Sequence, residues 1–168
     1  MKTILLSILT LLISYSVQAQ QPTPMHSHPD HLEVLITEYL NMKNSLVSDD
    51  FESAKNHLMA FSKEVKSSAE MNQHEEHAEM HDAHHRSMMS AVTQAENADD
   101  IQSFRVAFVD ISQQLLTALE NQGYEGTLFK QFCPMYEGGS AWISDKDKIE
   151  NPYYGSIMHS CGETVSEI

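Results

Sequence analysis

Apolar residues recur at helical spacing in two stretches that precede the middle of the chain. The first, about His31 to Val47, carries an apolar stripe at Leu32, Leu35, Ile36, Tyr39 and Leu46. The second starts after Asp49 or Asp50 and carries Phe51, Ala54, Leu58, Phe61 and Val65. This period is typical of amphipathic helices. Glu52 is spaced to close a capping box with Asp49 at the start of the second helix.

Two further helices are predicted downstream. The third covers roughly Met71 to Glu96, and the fourth begins near Asp99 or Asp100 and ends before Gly123, a common terminating residue. The apolar stripe of the fourth helix consists of Ile101, Phe104, Phe108, Ile111, Leu115 and Leu119. Four amphipathic helices with short connections predict a mainly α protein built as an antiparallel four-helix bundle.

The pattern changes after Gly123. Thr127 to Phe132 and Ala141 to Ser144 have strand character, whereas turns are expected at Gly138, Gly139, Asn151, Pro152 and Gly155. We therefore expect a small irregular C-terminal cap with short β segments, starting at about residue 124 and called the cysteine cap below. Residues 31–165 would form one domain, preceded by a flexible leader at 20–30.

The N-terminus has the features of an export signal. Lys2 precedes the apolar run Ile4–Ile13, and Ser16–Ala19 forms a small-x-small cleavage pattern. These features predict a signal peptide at residues 1–19 and cleavage before Gln20. The run is too short to span a bilayer comfortably. A periplasmic location is expected, with secretion as the alternative.

The charge balance excludes some classes of partner. The chain has 24 Asp and Glu against 10 Lys and Arg, a formal net charge of −14 at pH 7. Such a surface repels nucleic acid and anionic lipid, and it attracts cations. We expect no nucleic-acid partner and no membrane insertion of the processed chain.

The third helix carries an unusual stripe of histidines. In a helical projection, one arc of roughly 100° holds His74, His77, His81, His84, His85 and Met88. The arc continues into apolar Ala91 and Val92, so the histidines occupy positions expected for core residues. Neutral imidazole binds zinc, copper and nickel. His57 would lie opposite His84 or His85 in a tight hairpin. The alternative is a polar, pH-sensitive end of the bundle that binds nothing specific.

Two sulfur pairs lie in the cysteine cap. Cys133 and Met135 form one, and Met158 and Cys161 form the other, with His159 between them. Thiolate and thioether groups select Cu(I) over harder ions. The alternative is a Cys133–Cys161 disulfide, which export favours and which would contribute on the order of 3 kcal/mol. A redox-responsive site that alternates between the two states is a third alternative. Trp142 would either shield a bound ion or belong to the core.

Catalysis is not expected. Cys161 and His159 resemble a thiol–imidazole pair, but no third group is identifiable that would orient the imidazole. Arg105 is interpreted as a structural partner for carboxylates or for carbonyl groups of the cap.

Several motifs in the cap resemble a known family. They are Cys133-Pro-Met135, Gly139-Ser-Ala-Trp-Ile-Ser144, Ile149-Glu-Asn-Pro-Tyr-Tyr-Gly155 and Met158-His-Ser-Cys-Gly162. Together with Leu46–Asp50 and Arg105–Ser112, this set resembles a domain of unknown function from bacterial envelope proteins, over roughly Leu32 to Val165. That domain occurs alone or joined to periplasmic adaptor subunits of heavy-metal efflux pumps. The resemblance implies a helical bundle with a cysteine cap and an association with copper efflux, without an established reaction.

The function expected from these patterns is binding of a soft or borderline transition metal outside the cytoplasm. Copper is the first choice, with zinc or nickel as alternatives, and the role would be buffering or delivery to an efflux adaptor protein. The competing hypothesis is a structural or docking module of the envelope, stapled by a disulfide and without a metal.

Overall fold

The computed structural model describes the backbone of residues 28–71 and 78–168, and the side chains of 31–67 and 84–168. Four helices are followed by a small three-stranded antiparallel sheet, so the prediction of a mainly α protein is confirmed. The elements are α1 (His28–Val47), α2 (Phe51–Met71), α3 (Ala78–Glu96), α4 (Ile101–Gln122), β1 (Phe129–Cys133), β2 (Ser140–Ser144), a short 3₁₀ helix (Gly155–Ile157) and β3 (Glu163–Glu167).

The predicted apolar stripes form the core. Every residue of the stripes of α1, α2 and α4 is buried except Phe51 and Ile101, which are half-buried. Each helix contacts the next along the chain, and α4 also contacts β2. Full burial of a large apolar side chain contributes about 1.5–3 kcal/mol, so these stripes supply the main driving force for packing. Among the described helices, none is long and apolar enough to cross a membrane.

The turn between α1 and α2 selects one of the two predicted capping residues. Asp50, not Asp49, caps α2, because its Oδ1 accepts a hydrogen bond from the Ser53 backbone N–H at 3.0 Å. The predicted capping box between Asp49 and Glu52 is therefore wrong. Asp49 has φ 59, a left-handed conformation that directs its carboxylate away from the helix start and towards the cysteine cap.

The start and end of α4 match the prediction. Asp100 accepts from the Ser103 N–H at 2.8 Å, and the Ser103 hydroxyl accepts from the Asp100 N–H. At the other end Gly123 has φ 73 and donates its N–H to the Leu119 carbonyl at 2.9 Å. At both ends, backbone groups that the helix itself leaves without a partner are therefore hydrogen-bonded.

Other boundaries are shifted. The helix α1 begins at His28, so the predicted leader at 20–30 is too long by three residues. Pro29 is compatible with this start because the first turn of a helix does not use its N–H groups. Met71 ends α2 rather than beginning α3, which is described from Ala78. The predicted signal peptide and residues 20–27 of the leader lie outside the described residues.

The sheet has the order β2-β1-β3, with β1 in the centre and both neighbours antiparallel to it. The two predicted strands are confirmed with small shifts at their ends. The third, β3, was not predicted, because its residues are mostly exposed and lack an apolar alternation. Cys133 is the last residue of β1, opposite Ser140 of β2.

A buried hydroxyl pair joins the helices to the sheet. Tyr39 of α1 donates to the Ser112 hydroxyl of α4 at 2.7 Å, since Ser112 itself donates to the Phe108 carbonyl at 2.8 Å. The Tyr39 oxygen then accepts from the Ile143 N–H of β2 at 3.1 Å. The Tyr39 ring stacks on Phe108 with centroids 4.9 Å apart. Burial raises the pKa of Tyr39 well above its usual range, so the hydroxyl remains a donor.

Substitution Tyr39→Phe should lower the free energy of unfolding by about 1–3 kcal/mol, because the Ile143 N–H loses its acceptor in a buried site. Urea denaturation followed by circular dichroism measures this loss. The control Tyr124→Phe removes a hydroxyl from a half-buried ring outside this network. Equal losses in the two variants would contradict the role given to Tyr39.

Candidate functional site

The two cysteines of the cap lie side by side. Cys133 is fully buried at the end of β1, and Cys161 is half-buried in the turn before β3. Their Sγ atoms are 3.2 Å apart, and both cysteines are free. A disulfide bond would measure about 2.05 Å, so the described state is a pair of adjacent thiols.

The turn that carries Cys161 is fixed by one buried amide. The Asn151 side chain donates to the Cys161 carbonyl at 2.7 Å, and the Asn151 N–H donates to the His159 carbonyl at 2.8 Å. The Cys161 N–H in turn donates to the Met158 carbonyl at 3.0 Å. Asn151 was interpreted as a turn residue, and the structure shows that it also positions the backbone of a thiol.

Trp142 closes the inner side of this segment. Its ring is fully buried and meets the Tyr153 ring edge-on, with centroids 5.8 Å apart. A Cβ added at Gly162 would lie 2.8 Å from both the Trp142 ring and the Phe132 carbonyl oxygen, and Gly162 has φ 137. Glycine is therefore required directly after Cys161, because a side chain would displace the Trp142 ring or the β1 backbone.

The two thioether residues flank the thiols along the chain. Met135 follows Cys133 in an exposed turn, with 64% of its surface accessible, and Met158 is half-buried. The Tyr154 hydroxyl donates to the Met135 carbonyl at 3.0 Å, which ties this turn to the segment leading into Met158. His159 is half-buried in that same segment. The contact that joins the two predicted sulfur pairs is the one between Cys133 and Cys161.

The pKa of the Cys161 thiol is raised, first by its hydrogen bond with Cys133 and then by burial. The raised pKa favours the neutral thiol over the thiolate at neutral pH. An ion that binds here would displace a proton, as metals do when they bind cysteine.

The histidine stripe is described only in part. His74 and His77 lie outside the described residues, and His81 lies in α3 without a described side chain. His84 and His85 are half-buried, and His85 Nε2 lies 2.9 Å from the Val65 carbonyl of α2. Because a carbonyl only accepts, Nε2 is the donor in this contact. Met88, at the end of the stripe, is buried in the hydrophobic core.

The predicted approach of His57 to this stripe is wrong. His57 Nδ1 pairs with Glu38 of α1 at 2.8 Å. Val65, which marks the level of His85 on α2, lies eight residues beyond His57, or about 12 Å along the helix axis. Within the described part of the chain, no group of three or more His, Cys, Asp or Glu side chains is arranged to hold a metal ion.

A buried arginine connects the cap to the helices. Arg105 of α4 is 1% exposed, and its Nη2 donates to the Leu46 carbonyl at 2.8 Å and to Asp49 Oδ1 at 2.5 Å. Its Nε donates to the Pro152 carbonyl at 2.9 Å. This set is called the Arg105 junction below. The structural role predicted for Arg105 is confirmed.

Asp49 completes the Arg105 junction from the other side. Its Oδ2 accepts from the Ser156 N–H at 3.1 Å. The pKa of Asp49 is lowered to about 2, first by the hydrogen bond with Ser156 and then by Arg105. Gly155 has φ 54, and a Cβ there would collide with Asp49 Oδ1 and Arg105 Nη2. This role of Asp49 is not predicted by the sequence, because a helix-capping position explains the residue equally well.

Substitution Asp49→Asn should destabilise the protein in a pH-dependent way. The folded-state pKa of Asp49 is about 2, whereas an unperturbed Asp has a pKa of about 3.9. The stabilisation is therefore complete above about pH 4 and is lost as the pH falls towards 2. Urea denaturation of both proteins at pH 7, 4 and 3 should show a difference in unfolding free energy that shrinks with acidity.

The matched control is Asp50→Asn, which removes a charge at the next position and keeps an N-cap residue. It should cost less stability at pH 7 than Asp49→Asn. A difference between wild type and Asp49→Asn that stays constant from pH 7 to pH 3 would contradict the assigned pairing.

The comparisons with known proteins concern mainly the helical part. No curated protein and no solved structure matches the chain. Residues 35–126 match the family described as "Protein of unknown function (DUF3347)". The match starts within α1, extends past the end of α4 and stops before β1, so the cap motifs lie outside it. Since the match covers more than half of the sequence, the chain belongs to this DUF3347 family of unknown function.

Proposed function

We propose that the protein binds a soft or borderline transition-metal ion, copper(I) foremost, through Cys133 and Cys161. The single observation that supports this most directly is the 3.2 Å separation of two unbonded sulfur atoms from distant parts of the sequence. Thiolate sulfur is a preferred ligand of such ions. The half-buried Cys161 provides access from solvent to its fully buried partner.

The distance requires a small adjustment on binding. With metal–sulfur bonds of about 2.3 Å, two sulfur ligands lie about 3.8 Å apart in tetrahedral coordination and about 4.6 Å apart in linear coordination. The thiols must therefore move apart by about 0.6 Å or more. Rotation of the Cys161 side chain can supply this movement, because Cys161 is half-buried whereas Cys133 is fully buried.

The neighbouring donors favour copper(I). Met135 and Met158 each lie within three residues of a thiol, and a thioether ligand discriminates against harder ions. His159 would support zinc or nickel as alternatives. The histidine stripe from His74 to His85 is proposed as a second, weaker site that collects ions near the protein, aided by the net charge of −14.

The cellular setting is part of the same proposal. The four helices would pack as an antiparallel bundle that carries the cap at one end, in the periplasm after removal of the signal peptide. The protein would buffer copper or deliver it to a heavy-metal efflux adaptor protein. No catalytic role is assigned to any residue.

A structural or docking module is the second candidate, and one observation favours it. The cap is attached to the helices by protein groups alone, through the Arg105 junction and the Tyr39 hydroxyl. This attachment requires no ion. In this reading Cys133 and Cys161 form a permanent disulfide. A free-thiol count on protein treated with reduced glutathione and then denatured should find two thiols per chain for metal binding and none for a permanent disulfide.

Anaerobic titration of the reduced protein with Cu(I), against a chromogenic competitor, should show one high-affinity ion per chain. Cys133→Ser should weaken binding at least a hundredfold, because only one thiolate remains, and Met158→Leu about tenfold. The control Met59→Leu changes an exposed methionine of α2 and should bind as the wild type does.

A second variant separates the two proposed sites. Replacing His74, His77 and His81 by Gln should leave the high-affinity ion in place and remove only weaker binding. Loss of the high-affinity ion in this variant, together with unchanged binding by Cys133→Ser, would reject the cysteine pair as the site. Binding no tighter than that of a histidine-tagged control protein would reject metal binding altogether.

A further inference from the structure

The two thiols differ in accessibility. Cys133 is fully buried in the central strand, with Ser140 of β2 opposite it. Cys161 is half-buried in a turn and is followed by a glycine at φ 137. A small reagent from solvent therefore meets Cys161 first. Cys133 is shielded from the reagent by its burial and contacts the Cys161 sulfur.

The same two sulfur atoms have two exclusive bonding options. A disulfide needs about 2.05 Å between them, whereas a bridging ion with bonds of about 2.3 Å needs about 3.8 Å or more. The described separation of 3.2 Å lies between these values. A movement of the sulfur atoms by roughly 1 Å in either direction selects one option, and a disulfide removes both thiolates from any ion.

We propose that Cys133 and Cys161 form a reversible dithiol–disulfide switch that closes the metal site when oxidised. The closing of a metal site rests on the proposed function, whereas the thiol chemistry does not. The oxidant is a low-molecular-weight disulfide, and the reductant is the corresponding thiol.

The reaction proceeds by two exchange steps. The Cys161 thiolate attacks one sulfur of the external disulfide, which forms a mixed disulfide and releases one thiolate. The Cys133 thiolate then attacks the Cys161 sulfur, which forms the internal disulfide and releases the second thiolate. Two electrons pass from the protein to the external disulfide, and the two cysteine protons end on the two released thiols. Attack of an external thiol on the exposed side of Cys161 reverses the sequence.

The test uses the purified full-length processed protein in a series of glutathione buffers with different ratios of oxidised to reduced form. Samples are quenched in acid and alkylated, and mass spectrometry then gives the number of free thiols per chain. Both thiols should disappear together within this series and return on addition of reduced glutathione. A pair that stays reduced throughout, or that cannot be reduced again, overturns the switch.

Two single variants test the order of attack. Cys133→Ser should accumulate a mixed disulfide with glutathione at Cys161, whereas Cys161→Ser should leave the buried Cys133 unmodified in the folded protein. Circular dichroism confirms that both variants are folded. Preferential modification of Cys133 overturns the assigned order. If either variant unfolds, the rates of alkylation of the two thiols in the wild type decide instead. Faster alkylation of Cys161 supports the assigned order, and faster alkylation of Cys133 overturns it.

Competitive Cu(I) titration of the reduced and oxidised proteins tests the closing of the site. Affinity should fall at least a hundredfold on oxidation and recover on reduction. Equal affinity in the two states overturns the closing of the metal site, but it does not contradict the reversible exchange between dithiol and disulfide. Absence of Cu(I) binding to the reduced protein rejects the proposed function, and the glutathione series then decides the switch by itself.

Discussion

The placement of the cysteine cap depends on one buried charge. The Arg105 guanidinium is almost fully enclosed and bonds to a carboxylate and to carbonyl groups from both the α1–α2 turn and the cap. An unpaired guanidinium in such a site would be strongly destabilising, so its partners are required together. The carboxylate of Asp49 shares its second oxygen with the backbone of Ser156. Helices and cap therefore meet at a buried guanidinium whose partners come from both parts of the chain.

The position of the thiols follows from this junction through a short series of contacts. Pro152, a partner of Arg105, follows directly after Asn151, whose amide holds the Cys161 carbonyl. Tyr154 then fixes the turn that contains Met135. Because each contact involves backbone groups, the positions of both sulfur-bearing segments are set by the chain path rather than by the thiols themselves. The thiol pair is thus available for chemistry without being needed to hold the cap.

The sequence predicted the helical part well because burial imposes a period that is visible in the residues. The stripes of α1, α2 and α4 are the core, and Asp100 and Gly123 end α4 as expected. The N-cap of α2 stayed open between two residues, and the capping box predicted for Asp49 was wrong. Asp49 and Asp50 are equally good capping residues locally, and only a contact with Arg105, distant in sequence, decides between them. The strand β3 was missed because an exposed strand carries no apolar alternation. All alternatives for Cys133 and Cys161 place the two residues close together, but the choice between a disulfide and a shared ion stays open, because sequence spacing does not encode the distance between two sulfur atoms.

The contacts that hold the cap join residues very far apart along the chain. The Ile143 to Tyr39 hydrogen bond spans 104 positions, and the Ser156 to Asp49 bond spans 107. Contacts of this range are slow to form, because the entropy of closing a long loop must be overcome before they contribute. Helical hairpins would therefore assemble first, and the cap would dock as a late cooperative unit. The same unit is expected to open first under native conditions, so amide exchange in β1–β3 would precede that of the helix cores.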